Sequence, residues 1–313
     1  MAAIILRRLL ATIPVMGVVA LFVFSLLHLS PGDPATILAG DQASPADVER
    51  IREALGLDRA LPIQFFEWVA RVVRLDLGTS IFTGLPVTQL IVQRLEPTLS
   101  LMGLTLLFSV VTAVPLGVLA AWKANTFSDR AIMATAVLGF SVPVFVVGYI
   151  LAWVFSIKLG WLPAQGYQPI ENGFWPWLRN LILPSMALGF IYIALIARVT
   201  RASMLEVLGQ DYIRTARAKG ATEKSVLFVH ALKNAAVPVV TIIGIGVALL
   251  ISGAVVTETV FSIPGLGRLV VDAILSRDYP IIQGVILFFS FVYVLINLLV
   301  DLIYTVVDPR IRY

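Results

Sequence analysis

The residues with the most chemistry to offer lie between Arg198 and Lys233. Over these 36 residues the chain places seven of its 23 lysines and arginines, interleaved with small residues and turn formers. Gly209 and Gly220 read as stops, and Asp211 and Thr222 as N-caps, so three short helical pieces are expected. In the middle piece Ala216, Ala218 and Ala221 permit another surface to come close, while Arg214, Arg217 and Lys219 offer it charge. A basic loop beside lipid serves as a topology determinant or a headgroup contact. That accounts for the charge but not for the caps, the alanines or the glycines. A docking element for a second protein accounts for all of them.

Bond-making chemistry finds little support. There is no cysteine, hence no disulfide and no thiolate metal site. The two histidines, His28 and His230, sit near the ends of apolar runs, and neither an H-E-x-x-H nor a G-x-S-x-G pattern occurs. No G-x-x-x-x-G-K-[ST] loop is present to cradle a nucleotide phosphate. An intramembrane hydrolase is therefore disfavoured.

The elements that must position the loop are membrane helices. Hydrophobic residues make up 59% of the chain and charged ones 13%, against about 45–50% and 25% in soluble domains. Six stretches carry no Asp, Glu, Lys or Arg: 9–32, 97–122, 131–157, 180–197, 234–257 and 279–300. Each is close to the roughly 20 residues a helix needs to cross ~30 Å of hydrocarbon. The expected fold is all-α and integral to the membrane, with six spans near 9–29, 97–122, 131–157, 180–200, 234–257 and 280–306. The chain 1–313 reads as one transmembrane domain with an outer amphipathic loop over 30–96 and a cytoplasmic loop over 201–233. The opening Met1–Arg8, followed by an apolar run with no A-x-A-like site, reads as a retained helix.

An even number of spans puts both termini on one side. That side collects 13 of the 23 basic residues, and the two short loops opposite hold only Lys158, Arg179, Arg268 and Arg277. Both ends and the 201–233 loop are thus expected to be cytoplasmic. The net charge of +4 reports this topology and not nucleic acid.

The long loop after span one is expected to be structured. Ser30-Pro31-Gly32-Asp33-Pro34 stops the first helix. Ser44-Pro45-Ala46-Asp47 then opens a helix whose Val48, Ile51 and Leu55 share a face, with Gly56 as its stop. A second amphipathic stretch, Pro62 to Arg74, carries Phe65, Phe66, Trp68, Val69, Val72 and Val73. Both are expected to pack on the outer ends of the spans. Residues 77–93 lack charge but are too polar for a seventh span, and the aromatic 159–179 loop suits an interfacial belt. Span interiors hold no ionisable group; Glu258 and Asp301 lie at run edges, where a structural role is expected, and Asn297 is expected to bond a neighbouring helix. Prolines 115, 143, 184 and 238 can bend their spans.

The 204–220 phrase, Met-Leu-Glu-Val-Leu-Gly-Gln-Asp-Tyr-Ile-Arg-Thr-Ala-Arg-Ala-Lys-Gly, resembles the coupling motif of ABC importer permeases. It is most similar to the dipeptide/oligopeptide/nickel branch. Pro31-Gly32-Asp33-Pro34, Asp76-Leu77-Gly78, Pro86-Val87, the run Glu258 to Leu269, Arg277-Asp278-Tyr279-Pro280 and the closing Asp308 to Tyr313 agree with it. The long loop after span one points to the first of that branch's two paired permease types. With Gly220 as the motif glycine, the E-A-A slot of the general form holds Arg214-Thr215-Ala216. The distal I-x-L-P slot holds His230-Ala231-Leu232-Lys233.

The resemblance implies a type I importer permease in the cell inner membrane, and not an enzyme. It implies a second homologous permease, two ATP-binding subunits that hold ATP and magnesium, and an extracytoplasmic substrate-binding protein. The coupling residues it points to are Glu206, Gly209, Asp211, Arg214, Thr215, Ala216, Arg217, Ala218, Lys219 and Gly220. No cofactor, catalytic group or metal is expected in this chain, and no nucleic-acid partner. Peptides are the expected cargo, with nickel chelates, glutathione and other peptide-like solutes as alternatives. A stand-alone channel or secondary transporter is the rival from another class, disfavoured by the lack of buried coupling carboxylates.

Overall fold

The computed structural model describes residues 2–29, 35–36, 44–54 and 57–307. The breaker cluster at 30–34, Leu55, Gly56 and the closing 308–313 lie outside them, as do the side chains of His28, Asp47, Ile51 and Asp301. The helices are α1 (Ala2–Leu29), α2 (Pro45–Ala54), α3 (Leu61–Val73), α4 (Val87–Trp122) and α5 (Phe127–Ser141). Next come α6 (Val144–Leu151), a π-helical continuation Ala152–Lys158, α7 (Phe174–Leu208) and α8 (Asp211–Ala218). The last are α9 (Ala236–Val260), α10 (Leu266–Ser276) and α11 (Tyr279–Val307). Among the described residues there is no sheet, only a single bridge between Thr79 and Pro86.

Five of these helices, α1, α4, α7, α9 and α11, are each long and apolar enough to cross a membrane. The sixth candidate is α5 with α6 and its continuation, bent by 106° at the break. Pro143 sits at that break and caps α6, because its ring excludes helical backbone in the residue before it. The other prolines expected to bend spans behave differently. Pro115 and Pro184 lie inside unbroken helices, and Pro238 falls in the first turn of α9, where a missing N–H leaves no bond unmade.

Helix ends also outrun the charge-free stretches. α4 begins at Val87, ten residues before Pro97, and passes through Glu96. That carboxylate is held outside α4: its Oε1 accepts Tyr167 Oη at 3.0 Å and the Ile170 N–H at 3.1 Å. Trp177 Nε1 donates to Ser100 Oγ at 3.1 Å, so the aromatic loop is tied to the start of α4 at several points. Burial in that loop pushes the Tyr167 phenol above its ordinary value.

The chain packs as two compact units, one of residues up to 94 with 269–294, the other of 95–268 with the residues from 295 onward. In the first, Phe24 of α1 meets Phe65 and Trp68 of α3, with ring centroids 5.4 and 5.8 Å apart. Gln283 donates to the Val23 carbonyl at 3.3 Å, and Ser80 Oγ donates to Asp278 Oδ2 at 2.6 Å. The second unit has a core built by α4, α7 and α9, where Leu101, Leu181, Leu188, Tyr192, Leu250 and Phe261 cluster. Gly117 of α4 lets α7 come close, since a Cβ there would lie 2.6 Å from that of Thr200. Small residues serve membrane helices this way because packing, not the hydrophobic effect, drives their association.

Glu258, at the end of α9, is fully buried. Its Oε1 accepts Thr98 Oγ1 at 2.6 Å and its Oε2 accepts the Arg268 N–H at 3.0 Å. Thr98 Oγ1 in turn accepts the Leu266 N–H at 2.8 Å. The carboxylate thus organises the turn between α9 and α10, which answers the expectation of a structural role. Gly265 is required beside it, because a Cβ there would lie 2.2 Å from Oε1. Glu258→Leu removes the acceptor used by one buried and one part-buried donor, each worth about 1–3 kcal/mol when left unmet. The expected loss is on the order of 3 kcal/mol, read from thermal unfolding in detergent; an unchanged midpoint would show that the turn holds itself.

Candidate coupling site

The segment singled out by its charge pattern folds as a capped projection. α7 leaves its apolar stretch and runs on to Leu208, so the first expected helical piece is an extension of a span and not a separate helix. Gly209 ends it in ordinary right-handed backbone. Gln210, extended at φ −77° and ψ 149°, occupies the N-cap of α8. Asp211, expected as the cap, is instead the first helical residue. There its carboxylate still favours the positive end of the helix.

The far end of α8 is closed as expected. Gly220 adopts φ +83°, which a residue with a Cβ takes up only with strain. The Gly220 N–H donates to the Arg217 carbonyl at 2.9 Å and the Ala221 N–H to the Ala216 carbonyl at 3.1 Å. These two bonds form a Schellman motif and satisfy carbonyls that the helix end would leave open. Thr222 then caps the next turn, its side chain accepting the Ser225 N–H at 3.3 Å. The third expected piece is wound unevenly, as α-turns at Glu223–Ser225 and Leu232–Asn234 around a π turn at Val226–Ala231.

One side chain seats the projection. Ile213 is fully buried against Val118 and Ala121 from the end of α4, Met204 of α7, and Val226, Leu227, Ala231 and Ala235. Burying it contributes about 1.5–3 kcal/mol. With Ile213 inward, Asp211, Arg214, Thr215, Arg217, Ala218 and Lys219 are exposed, and Ala216 is half-buried. Glu206 is exposed on the last turn of α7, followed by Gly209, so the sequence-selected residues gather on one projection.

Two of its cations are engaged within the loop. Arg217 Nε donates to Glu223 Oε1 at 2.8 Å and Nη2 to Oε2 at 3.3 Å, bridging the turn. Arg214 Nη1 donates to Asp211 Oδ1 at 3.3 Å, a loose pair between strongly exposed groups. Lys219 forms no ion pair among the described residues. The outward surface of α8 therefore offers the Lys219 ammonium, small side chains and the half-exposed Tyr212 ring.

Sequence reasoning assigns no role to two features at the base of the projection. Ile213 is one; its signal is a lone branched aliphatic residue inside a charged helix. The other is Asp129, in the first turn of α5, which accepts Arg201 Nε on Oδ1 and Nη2 on Oδ2 at 2.7 Å. The Asn125 N–H, from a left-handed residue at φ +64°, donates to the same carboxylate at 2.9 Å. The Asp129 side chain is 4% exposed and that of Arg201 25%, so this pair is far better shielded from solvent than the others. Among the described residues no group of three or more acidic or histidine side chains is placed to hold a metal.

Comparison with known proteins assigns the architecture. Residues 113–313 match the family described as "Binding-protein-dependent transport system inner membrane component", and residues 1–102 match "Binding-prot-dependent transport system membrane comp, N-term". A probable peptide ABC transporter permease of Sinorhizobium fredii is 58% identical over 313 residues, with 100% of both chains covered. A putative peptide transport system permease of Brucella abortus is 48% identical over 313 residues, again with 100% of both chains covered. A glutathione transport system permease of Escherichia coli is 44% identical over 309 residues, with 99% of this chain and 98% of that one covered. An inward-facing structure of the MetNI methionine ABC transporter superposes with a TM-score of 0.59 at 20% identity, covering 70% of this chain and 97% of that one. That last likeness speaks for the fold alone. The chain belongs to the binding-protein-dependent transport system inner membrane components, as a multi-pass, non-catalytic permease subunit of an ABC importer.

Proposed function

We propose that this permease imports peptides, working as a six-span domain over residues 1–313 with both termini and the 201–233 loop in the cytoplasm. It pairs with a second, homologous permease over two ATP-binding subunits and receives cargo from an extracytoplasmic binding protein. Relatives named for peptide transport support the cargo, and the relative named for glutathione keeps a peptide-like solute within the class. The single observation that carries the coupling role is α8 itself: closed at its C-terminal end by Gly220, seated by Ile213, and turning its polar face outward.

Seated in a groove of an ATP-binding subunit, α8 moves with that groove when the nucleotide pair closes. Ile213 passes the displacement to the ends of α4 and α7 and to the start of α9, the helices whose packing forms the core of their unit. The spans then exchange inward for outward access. Such a cycle needs only that nucleotide binding favour one of two packed states. Glu206, Gly209, Asp211, Arg214, Thr215, Ala216, Arg217, Ala218, Lys219 and Gly220 make up the docking element in this reading.

The test is reconstitution of this chain with its partner permease and ATP-binding subunits in liposomes, with the binding protein outside. Uptake of labelled trialanine that requires both ATP inside and binding protein outside is the expected result. Uptake by this polypeptide alone without ATP would replace the reading with a stand-alone transporter. A binding protein that takes only a nickel chelate or glutathione would replace the cargo while leaving the coupling intact.

A further inference from the structure

The first unit holds a half-open cavity of about 420 Å³ that the coupling cycle does not use. Its volume falls in the ~300–1,000 Å³ range of small-ligand sites. Phe24 and Leu27 of α1 form one wall, Trp68 of α3 and Leu77 a second, and Tyr279 with Gln283 at the start of α11 a third. Two of these walls are the ends of membrane helices, so the cavity sits at a membrane boundary.

The charged residues of the lining are Arg71, Glu67 and Asp76. Arg71 is exposed and makes no ion pair among the described residues. Glu67 Oε1 accepts Arg59, and Asp76 Oδ1 accepts the Gly78 N–H at 3.0 Å, so both carboxylates keep acceptor capacity. A simple anion would meet two carboxylates there, and a simple cation would meet a guanidinium. A group carrying an anion and a primary ammonium a few ångströms apart meets neither problem.

α3 says which such group it is. None of its residues is buried, and Ile63, Phe66 and Val73 are 51, 69 and 77% exposed. A helix with one apolar face bared, held by Phe65 and Trp68 against the end of a membrane span, is an interfacial helix. A lipid surface suits such a face, and the apolar walls of the cavity continue it.

We propose that this cavity binds the headgroup of an aminophospholipid, with its phosphate on Arg71 and its ammonium against Glu67 and Asp76. Phosphatidylethanolamine fits this chemistry. Phosphatidylcholine does not, because a quaternary ammonium cannot donate hydrogen bonds to the carboxylates.

The experiment is native mass spectrometry of the full chain in detergent, titrated separately with phosphatidylethanolamine, phosphatidylcholine and dialanine. Phosphatidylethanolamine should be retained preferentially, and Arg71→Ala should weaken its retention about tenfold, as loss of a charge-assisted contact does. Arg71→Lys, which keeps the charge but loses the fork, should fall between. Both variants should elute as the parent does on size exclusion, since Arg71 is exposed. Equal retention of the two lipids, retention indifferent to Arg71→Ala, or displacement of the lipid by dialanine would each overturn the proposal.

Discussion

Asp129→Ala should cost the permease about 2–3 kcal/mol of stability, the consequence of removing a bidentate charge-assisted contact and stranding a partly buried guanidinium. The reasoning starts from burial. The Asp129 side chain is 4% exposed and takes a bidentate grip from Arg201, so little solvent can replace it. Removing the carboxylate leaves a partly buried guanidinium unpaired and releases the Asn125 N–H as well. Removing both charges should be gentler. Asp129→Leu with Arg201→Met replaces the pair by apolar volume, and such exchanges are often neutral. Thermal unfolding of the two single variants and the double variant in detergent closes the cycle. An Asp129→Ala protein within about 0.5 kcal/mol of the parent would show that the pair is solvated after all. Because Arg201 lies on α7 just ahead of the docking projection, ATP-driven uptake should fall with the single variants and recover only in part with the double. Geometry, not charge alone, must be transmitted from α7 to α5.

The second large effect concerns the projection and separates its architecture from its recognition. Lys219→Glu should leave the unfolding midpoint unchanged, since exposed substitutions usually act within about 0.5 kcal/mol. Yet uptake in the reconstituted assembly should drop at least about tenfold, equivalent to 1.4 kcal/mol of lost docking. Arg217→Glu is different, because it turns a bridge across the loop into two facing carboxylates. Combining it with Glu223→Arg restores an ion pair of opposite sense. The exchange should return the midpoint to that of the parent and leave uptake low. Full recovery of uptake in the exchanged protein would make Arg217 a brace for the turn and remove it from the docking face. Normal uptake by Lys219→Glu would remove α8 from the coupling role.

Five of the expected spans are legible because hydrocarbon penalises charge so heavily that composition alone marks them. Gly220 and Thr222 were legible because local backbone chemistry decides both: a left-handed stop and a hydroxyl cap are set within a few residues. Asp211 missed by one position because a short polar side chain suits both the cap and the first turn, and Gln210 held the extended backbone. The bend at Pro143 and the straight path through Pro115 and Pro184 have the same residue type and different outcomes. Neighbouring helices decide which proline breaks its helix, and no local pattern carries that information. Asp129 with Arg201, and Thr98 with Glu258, lie 72 and 160 residues apart, so nothing in either sequence neighbourhood announces its partner. Ile213 is legible from its solitude as a branched aliphatic residue among the charges of 211–219.

The uninterrupted winding of α7 has a mechanical corollary. Its 35 residues span ~52 Å at 1.5 Å per residue, well beyond the ~30 Å of hydrocarbon. Pivoting by about 5° on its packed stretch near Leu181–Tyr192, such a rod carries Leu208 sideways by ~2–3.5 Å. Angular adjustments too small to disturb side-chain interlocking at the fulcrum are thereby magnified at Leu208, and a modest stroke there is geared down to fine rotation within the lipid.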